Sequence, residues 1–326
     1  MLSVVAQLIQ GMSELIVIKP GMLTTVQDLG RWGFQSRGVP VAGPMDPWSH
    51  RLANALVGND RDAAALEATL VGPELEFADE RLAAVTGAEF ELVVDDRPAP
   101  WNAPFLVPAG SRLRFRARKH GVRSYLAVAG GVAVRPMLGS RATHVVSGMG
   151  GLDGRPLRAG DRLPLGDESR TRGPAPALEH PIVPLAEGEA TVRVLPGPQH
   201  DYFAEDALAV LQSAPYVIAQ NSDRMGFRLT GPALTHARSA DIISDATPLG
   251  VLQVPASGQP ILLMADRPTA GGYPKIATVI AADMAVAGQL SPGDAITFQV
   301  CTLREAMAAL IAQERFVMAV ESWNQA

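Results

Sequence analysis

The segment Asp266–Lys275, DRPTAGGYPK, has the densest set of side chains that could do chemistry. It follows an apolar run, so the pattern predicts a buried strand, a turn at Gly271–Gly272 and then a helix that begins after Pro274. Backbone N–H groups at such a corner can hold an anion. Arg267 can bind a carboxylate or phosphate through two hydrogen bonds, and Lys275 supplies a mobile positive charge. The alternative is an ordinary corner with an Asp–Arg ion pair and a solvated lysine, which these residues alone favour.

A second polar segment, AQNSDRMGFRLTGP, covers residues 219–232. Apolar and polar residues alternate from 224 to 229, which predicts a strand with Arg224 and Arg228 on one face. Two such arginines, with Asn221 before them, could bind an acid or a phosphate. A surface strand with solvated charges explains the same alternation, and both interpretations stay open.

A third segment leads from the first strands into a helix. Gln27, Asp28 and Arg31 come before a long loop rich in glycine and proline, and Asp46 ends that loop. Asp46 is an N-cap residue followed by proline, so a helix is predicted from Pro47 to Val57. A long loop of this kind either binds a ligand or covers the mouth of a barrel.

Several familiar chemistries lack their motifs in this sequence. There is no GxxxxGK[ST] phosphate loop, no GxSxG nucleophile turn and no glycine fingerprint between a strand and a helix. The six histidines are scattered and Cys301 is the only cysteine, so we expect no metal site and no internal disulfide. A net charge of −5 without a basic cluster argues against binding to nucleic acid.

Short apolar runs bounded by glycine, proline or aspartate predict strands along the whole chain. The clearest runs are Leu15–Ile18, Leu82–Val85, Arg112–Phe115, Ser124–Val128, Val192–Leu195, Ile261–Met264 and Ala295–Val300. Four helices are predicted, at residues 47–57, 203–212, 275–287 and 303–320. The pattern indicates a mostly β protein with flanking helices (α+β), of the barrel or sandwich type.

The length of 326 residues suggests two domains. Residues 1–13 lack the features of a signal peptide or a membrane span and are expected to form a disordered tail. The proline-rich residues 166–188 are the expected linker, between a first domain at 14–165 and a second at 189–326 with a C-terminal helix. The similarity of VPAGSRLRFRA and LSPGDAITFQV favours two related halves, although such turns are common in β proteins. The single cysteine fits a reducing, cytoplasmic location.

Three long segments together resemble a known family. They are IKPGMLTTVQDLGRWGFQSRGVPVAGPMD, QNSDRMGFRLTGP and ADRPTAGGYPKIATV, and the shorter LEATLVGPELEF, GSRATH, RVLPGPQHDYF and GVLQVPASGQPI fit the same pattern in order. On these motifs the chain is identified as a member of the allophanate hydrolase subunit 2 family, also called KipA or PxpC, the C subunit of 5-oxoprolinase. The likeness runs from residue 14 to residue 298. Asp245 and Thr247 stand where the family has a glycine-richer turn, and His144 replaces a more usual polar residue.

The resemblance implies a fold, an activity and partners. It implies two cyclophilin-like β-barrel domains in one chain, working with a KipI/PxpB-type subunit and a PxpA (LamB/YcsF-type) subunit. The complex would use ATP to hydrolyse the cyclic amide 5-oxoproline to glutamate, and this chain need not bind the ATP. A first alternative is the carboxyltransferase component of a biotin-dependent urea or amide carboxylase. A second is a non-catalytic regulator that binds a KipI-like protein.

The resemblance also favours a functional site at residues 266–275 over an ordinary corner. It implies catalytic roles for Asp266, Arg267 and Lys275. The residues expected to bind substrate or phosphate are Asn221, Arg224, Arg228, Gln253, Thr269, Gly271, Gly272 and Tyr273. A contribution from the early loop would come from Gln27, Asp28, Arg31 and Asp46.

Overall fold

The computed structural model describes residues 13–168, 171, 174–178 and 188–323. Contacts divide the chain into two compact units, the first made of residues 1–29, 48–182 and 317–326, and the second of residues 30–47 and 183–316. Neither unit is continuous in sequence, whereas the predicted domains at 14–165 and 189–326 each are. Of the expected tail and linker, residues 1–12, 169–170, 172–173 and 179–187 lie outside the described residues.

The first unit is built around one antiparallel sheet that its described strands do not close into a barrel. The order is β2-β3-β8-β4-β1-β9, and β5 branches from β8 to pair also with β6 and β7. The strands are β1 (Glu14–Lys19), β2 (Leu23–Gln27), β3 (Ala65–Thr69), β4 (Glu74–Phe77), β5 (Arg81–Val94), β6 (Arg97–Ala99), β7 (Pro104–Val107), β8 (Arg112–Val128) and β9 (Arg162–Pro164). Helix α1 (Pro47–Leu56) packs on this unit through its buried apolar residues.

Strand β8 joins two runs that the sequence predicts as separate strands. Its first half pairs with β4 and its second half with β3, while β5 follows it along most of its length. Between the two runs, Lys119 pairs with Glu89 of β5, and Arg116 pairs with Asp96 in the turn after β5.

The second unit contains a closed barrel. Among its described strands the order is β10-β17-β14-β15-β12-β11-β18, and β18 returns to β10. The strands of this unit are β10 (Glu189–Pro196), β11 (Tyr216–Ile218), β12 (Gly226–Thr230), β13 (Asp245–Ala246), β14 (Val251–Gln253), β15 (Ile261–Leu263), β16 (Ala270–Gly271), β17 (Lys275–Val279) and β18 (Ala295–Val300). Strands β13 and β16 form a separate two-stranded sheet. The predicted mostly β fold is confirmed, with a closed barrel in one unit and an open sheet in the other.

The loop before helix α1 covers apolar residues of the second unit. Met45 is almost fully buried and belongs to the same apolar cluster as Phe227 and Phe298. Gly288 approaches the Met45 carbonyl so closely that a Cβ atom would lie 2.3 Å from its oxygen. Of the two roles predicted for this loop, the structure therefore gives its last residues the role of a cover over the barrel core.

The predicted helices have different outcomes. The helices at 47–57 and 303–320 are confirmed as α1 and α4 (Leu303–Ser322), and the one at 203–212 is shorter, as α2 (Ala207–Ser213). The helix at 275–287 is wrong in its first part, because residues 275–279 form β17 and only α3 (Met284–Ala287) is α-helical. The β-branched side chains of KIATV fit a strand, and β17 is needed between β10 and β14 to close the barrel. No helix within the described ranges is long and apolar enough to cross a membrane.

Candidate functional site

The candidate site lies where β17 begins, at one end of the barrel of the second unit. Lys275 is the first residue of β17 and pairs across the sheet with Gln253, the last residue of β14. Its side chain is only 2% exposed, and its Nζ donates a 2.6 Å hydrogen bond to Asp245 Oδ2. Burying an ammonium group costs several kcal/mol of folding free energy unless a partner stabilises it, so Lys275 depends on its hydrogen-bond partner. The predicted position of Lys275 in the first turn of a helix is wrong, and the solvated lysine of the ordinary-corner alternative is contradicted by its burial.

The side chain of Gln253 carries a polar atom with no partner. Gln253 is 4% exposed, and its Nε2 makes no hydrogen bond within the described residues. A buried donor left without an acceptor costs about 1–3 kcal/mol. A Cβ atom on Gly271 would lie 2.5 Å from this Nε2, so glycine leaves the amide room that any side chain would fill. The amide is thus available to an acceptor atom of a ligand.

Asp245 connects the small sheet to the barrel. It lies on β13 opposite Gly271 of β16, and its side chain is about half exposed. The hydrogen bond from Lys275 is the main cause that holds the pKa of the Asp245 carboxyl below its ordinary value, and the N–H of Ala246 adds to it. The buried cation is therefore balanced by an acid that solvent and ligands can reach.

Asp266 and Arg224 form a second charged pair in the same unit. The Arg224 guanidinium donates to both carboxylate oxygens, at 2.9 Å from Nε and 3.1 Å from Nη2, and both side chains are buried. Arg224 Nη2 also donates a 2.6 Å bond to the Gly43 carbonyl oxygen. The pair links residues 219–232 to the segment Asp266–Lys275, which are distant in the sequence. Both carboxylate oxygens of Asp266 accept hydrogen bonds from Arg224.

Arg267 follows Asp266 in the chain, and none of its partners among the described residues is a carboxylate. Its Nε donates to the Thr247 carbonyl oxygen at 2.7 Å, and Nη1 donates to the Met264 carbonyl oxygen at 3.4 Å. Burial lowers the pKa of the Arg267 guanidinium to about 10, although the nearby charge of Asp266 acts in the opposite direction. The ordinary corner would pair Asp266 with Arg267, and that pairing is absent among the described residues.

Several predicted site residues lie apart from this cluster or point away from it. Arg228 is on the exposed side of β12 while Arg224 is buried, so the prediction that they share a face is wrong. The reason is that β12 begins only at Gly226, and Arg224 precedes the alternating part. Asn221 and Tyr273 are exposed, and Gly272 is partly buried. Thr269 stays near Arg267, because its carbonyl oxygen accepts a 3.3 Å bond from the Thr247 N–H.

The residues of the early loop fall in both units. Gln27 and Asp28 belong to the first, where the Asp28 carboxylate accepts hydrogen bonds from the Ser140 hydroxyl and the Arg141 N–H. Arg31 and Asp46 belong to the second and are buried there. Asp46 accepts a 2.9 Å bond from Gln289 Nε2, which anchors the loop.

Sequence reasoning did not assign a site role to Asp245 or Thr247. Both stand in a segment that departs from the family pattern, and that departure was the available signal. Gln199 was also missed, although its Oε1 accepts a 3.3 Å bond from the N–H of Lys275. The pairing of β17 with β10 places it there, and its position in the family segment RVLPGPQHDYF was the available signal.

This fold and site define a class of protein. The sequence matches the family described as "Carboxyltransferase domain, subdomain A and B" over residues 37–300, and the chain belongs to that family. The described structure superimposes on the Kluyveromyces lactis urea carboxylase with a TM-score of 0.86 and 33% identity, covering 95% of this chain and 29% of that one.

Within that class the curated relatives are more specific. The chain is 42% identical over 302 residues to the C subunit of 5-oxoprolinase from Escherichia coli strain K12, covering 92% of this chain and 95% of that protein. It is 38% identical to the C subunit of 5-oxoprolinase from Haemophilus influenzae, covering 86% and 89%. The resemblance drawn from the sequence motifs is confirmed.

Proposed function

We propose that this chain is one subunit of an ATP-dependent 5-oxoprolinase, which opens 5-oxoproline to glutamate. It would work with a KipI/PxpB-type subunit and a PxpA-type subunit, and it would be active only within their complex. The support is the similarity to two proteins named as the C subunit of 5-oxoprolinase, along most of their length. A subunit name implies further subunits, and the proposal assigns their types from the family resemblance.

The chemistry explains why a buried cation is needed. A lactam carbonyl is a poor electrophile, and transfer of the ATP γ-phosphoryl group to its oxygen, with release of ADP, makes the carbon open to attack by water. The C–N bond then breaks as the ring nitrogen takes a proton and leaves as the amine, which gives an acyl phosphate. A second water hydrolyses this acyl phosphate to the glutamate carboxylate and inorganic phosphate. Each step places negative charge on oxygen atoms, and preorganised donors in a site with little water stabilise that charge best.

The observation that carries the proposal is the buried Lys275 ammonium beside the unpartnered Gln253 amide. In this proposal both groups donate to the anionic oxygens of the activated amide, and Asp245 gives up the lysine when substrate enters. Arg267 supplies a second positive charge. Asp266 positions Arg224 instead of accepting a proton, because both of its oxygens already accept hydrogen bonds.

The test uses the chain reconstituted with its partner subunits and assayed for ATP-dependent release of glutamate. We expect Lys275→Ala to lower the rate by about 10²–10³-fold, the size of loss seen when one stabilising donor is removed from an active site. Lys119→Ala is the matched control, since Lys119 is an exposed lysine paired with Glu89 in the first unit. Lys275→Met keeps the length of the side chain and separates loss of charge from loss of packing. Full activity in both Lys275 variants would contradict the proposal.

Biotin-dependent carboxyl transfer is the second candidate. The likeness to the urea carboxylase structure favours it, and the same cations would then hold a carboxylated carrier group and an amide acceptor. The two candidates differ in what the reconstituted complex turns over. Glutamate formed from 5-oxoproline and ATP without a biotinylated protein supports the first, and carboxylation of urea or another amide that requires such a protein supports the second.

A further inference from the structure

A cleft lies in the second unit next to Arg267. Its volume is about 290 Å³, at the lower end of the range for small-molecule sites. The walls are mostly apolar, formed by Val41, Pro248, Leu249 and Pro268, and Arg267 and Trp32 also line it. A cleft of this size and character admits a small ligand with an apolar body.

Arg267 gives the cleft a positive charge, and no acid in the described part of the chain forms an ion pair with it. Asp266, the nearest carboxylate in sequence, is held by Arg224 and forms no ion pair with Arg267 among the described residues. The two described acceptors of Arg267 are neutral backbone carbonyls. Leaving a buried cation without an ionic partner costs about 3–5 kcal/mol. An anion bound in the cleft would recover much of that cost.

Trp32 is the second residue of the cleft that could contact the ligand. Its side chain belongs to the early loop, is 61% exposed and lines the same cleft as Arg267. An indole face packs well against a flat ring, and a guanidinium binds a carboxylate through two parallel hydrogen bonds. A ligand that uses both must carry a small ring and a carboxylate close together.

We propose that the cleft between Trp32 and Arg267 binds a small cyclic carboxylate, with the ring against Trp32 and the carboxylate on Arg267. This inference rests on the proposed function in one respect, since 5-oxoproline has this structure and would be the natural ligand. The cleft would then hold the carboxylate of the substrate on Arg267. Trp32 and Arg267 would determine specificity for ring acids.

The test measures binding to the full chain without partner subunits, by tryptophan fluorescence and calorimetry. Four probes separate the contributions, namely 5-oxoproline, cyclopentanecarboxylate, 2-pyrrolidinone and inorganic phosphate. We expect saturable binding of the two carboxylates and none of 2-pyrrolidinone, which lacks the carboxylate. Phosphate should not displace 5-oxoproline at equal concentration. Trp32→Phe should abolish the fluorescence change while calorimetry still detects binding.

Variants localise the binding. Arg267→Gln should weaken carboxylate binding at least tenfold, and Arg238→Ala should not, since Arg238 is an exposed arginine paired with Asp201 in the same unit. Ala246→Glu places a negative charge on an exposed wall of the cleft and should weaken binding similarly without removing a buried group.

Four outcomes would overturn the inference: no saturable carboxylate binding, equal binding by Arg267→Gln, equal binding of 2-pyrrolidinone, or displacement by phosphate. Binding without turnover in the reconstituted complex would count against the proposed function alone. Turnover without binding at this cleft would count against the inference alone.

Discussion

Asp266 accepts hydrogen bonds from both Nε and Nη2 of Arg224, which lies 42 positions earlier in the chain. Its sequence neighbour Arg267 instead donates to two backbone carbonyls. The buried pair is neutral as a whole, and the positive charge of Arg267 is left facing the cleft. The adjacent residues Asp266 and Arg267 therefore differ in role. Asp266 belongs to a structural ion pair, and Arg267 is a cation that a ligand in the cleft could bind.

The Asp266–Arg224 pair should stabilise the fold more than it acts in chemistry. We expect Asp266→Asn to destabilise the chain by about 3–5 kcal/mol, because it leaves a buried arginine without its counter-charge. The double variant Asp266→Leu/Arg224→Met should lose much less than the sum of the single changes. Urea unfolding of the parent, the single variants and the double variant measures this coupling. Strict additivity would mean that the pair does not act as a unit.

Gly271 should be required for space around the Gln253 amide. In Gly271→Ala the new Cβ would lie 2.5 Å from Gln253 Nε2, so the amide must move and activity of the complex should fall at least tenfold. Gly272→Ala is the matched control, since its Cβ would meet no atom closer than 3.4 Å. Steady-state assays with a thermal unfolding check make the comparison. Equal activities would show that the amide position does not matter.

Gln253 should affect activity and stability in opposite ways. Gln253→Met keeps the approximate volume and removes a buried donor without a partner, so the free energy of unfolding should stay unchanged or rise. Activity should fall, because the substrate oxygen loses a donor. Denaturant unfolding and turnover are measured on the same preparation. A large loss of stability with unchanged activity would assign the residue to packing alone.

The Asp245–Lys275 ion pair should give a defined pH dependence. The pKa of Asp245 is lowered in the folded state, so its contribution is fully present above the ordinary aspartate pKa of about 3.9 and is lost as pH falls through the folded value. Asp245→Asn should therefore lower the free energy of unfolding at pH 7, and its difference from the parent should shrink at acid pH.

Unfolding at a series of pH values from 7 to 3 measures that difference. Asp241→Asn is the control for Asp245→Asn, since Asp241 is an exposed acid of the same segment and has no ion pair in the described part of the chain. A difference between Asp245→Asn and the parent that stays constant down to the lowest pH would rule out the ion pair as its source.

Local pattern predicted the β elements well. The run Ala295–Val300 coincides with β18, and the runs at 15–18 and 192–195 lie inside β1 and β10. Short runs of β-branched and aromatic residues between turn residues leave little choice of conformation. The same logic failed at Lys275–Val279, where a proline before a lysine is typical of a helix start. The partners of that strand, β10 and β14, decide its conformation, and no short window of sequence contains them.

Residue spacing and long ordered motifs were sufficient to predict the mostly β character of the chain, the helix that begins after Asp46, and membership in the carboxyltransferase-domain family. The folded barrel was needed to show that Lys275 is buried and paired with Asp245, that Asp266 belongs to Arg224, and that Arg228 faces outward. The physical reason is that the state of a charged side chain depends on the burial and partners it receives from distant strands. The sequence therefore shows which charged residue types occur in Asp266–Lys275. Their burial and their ion pairs depend on the folded barrel.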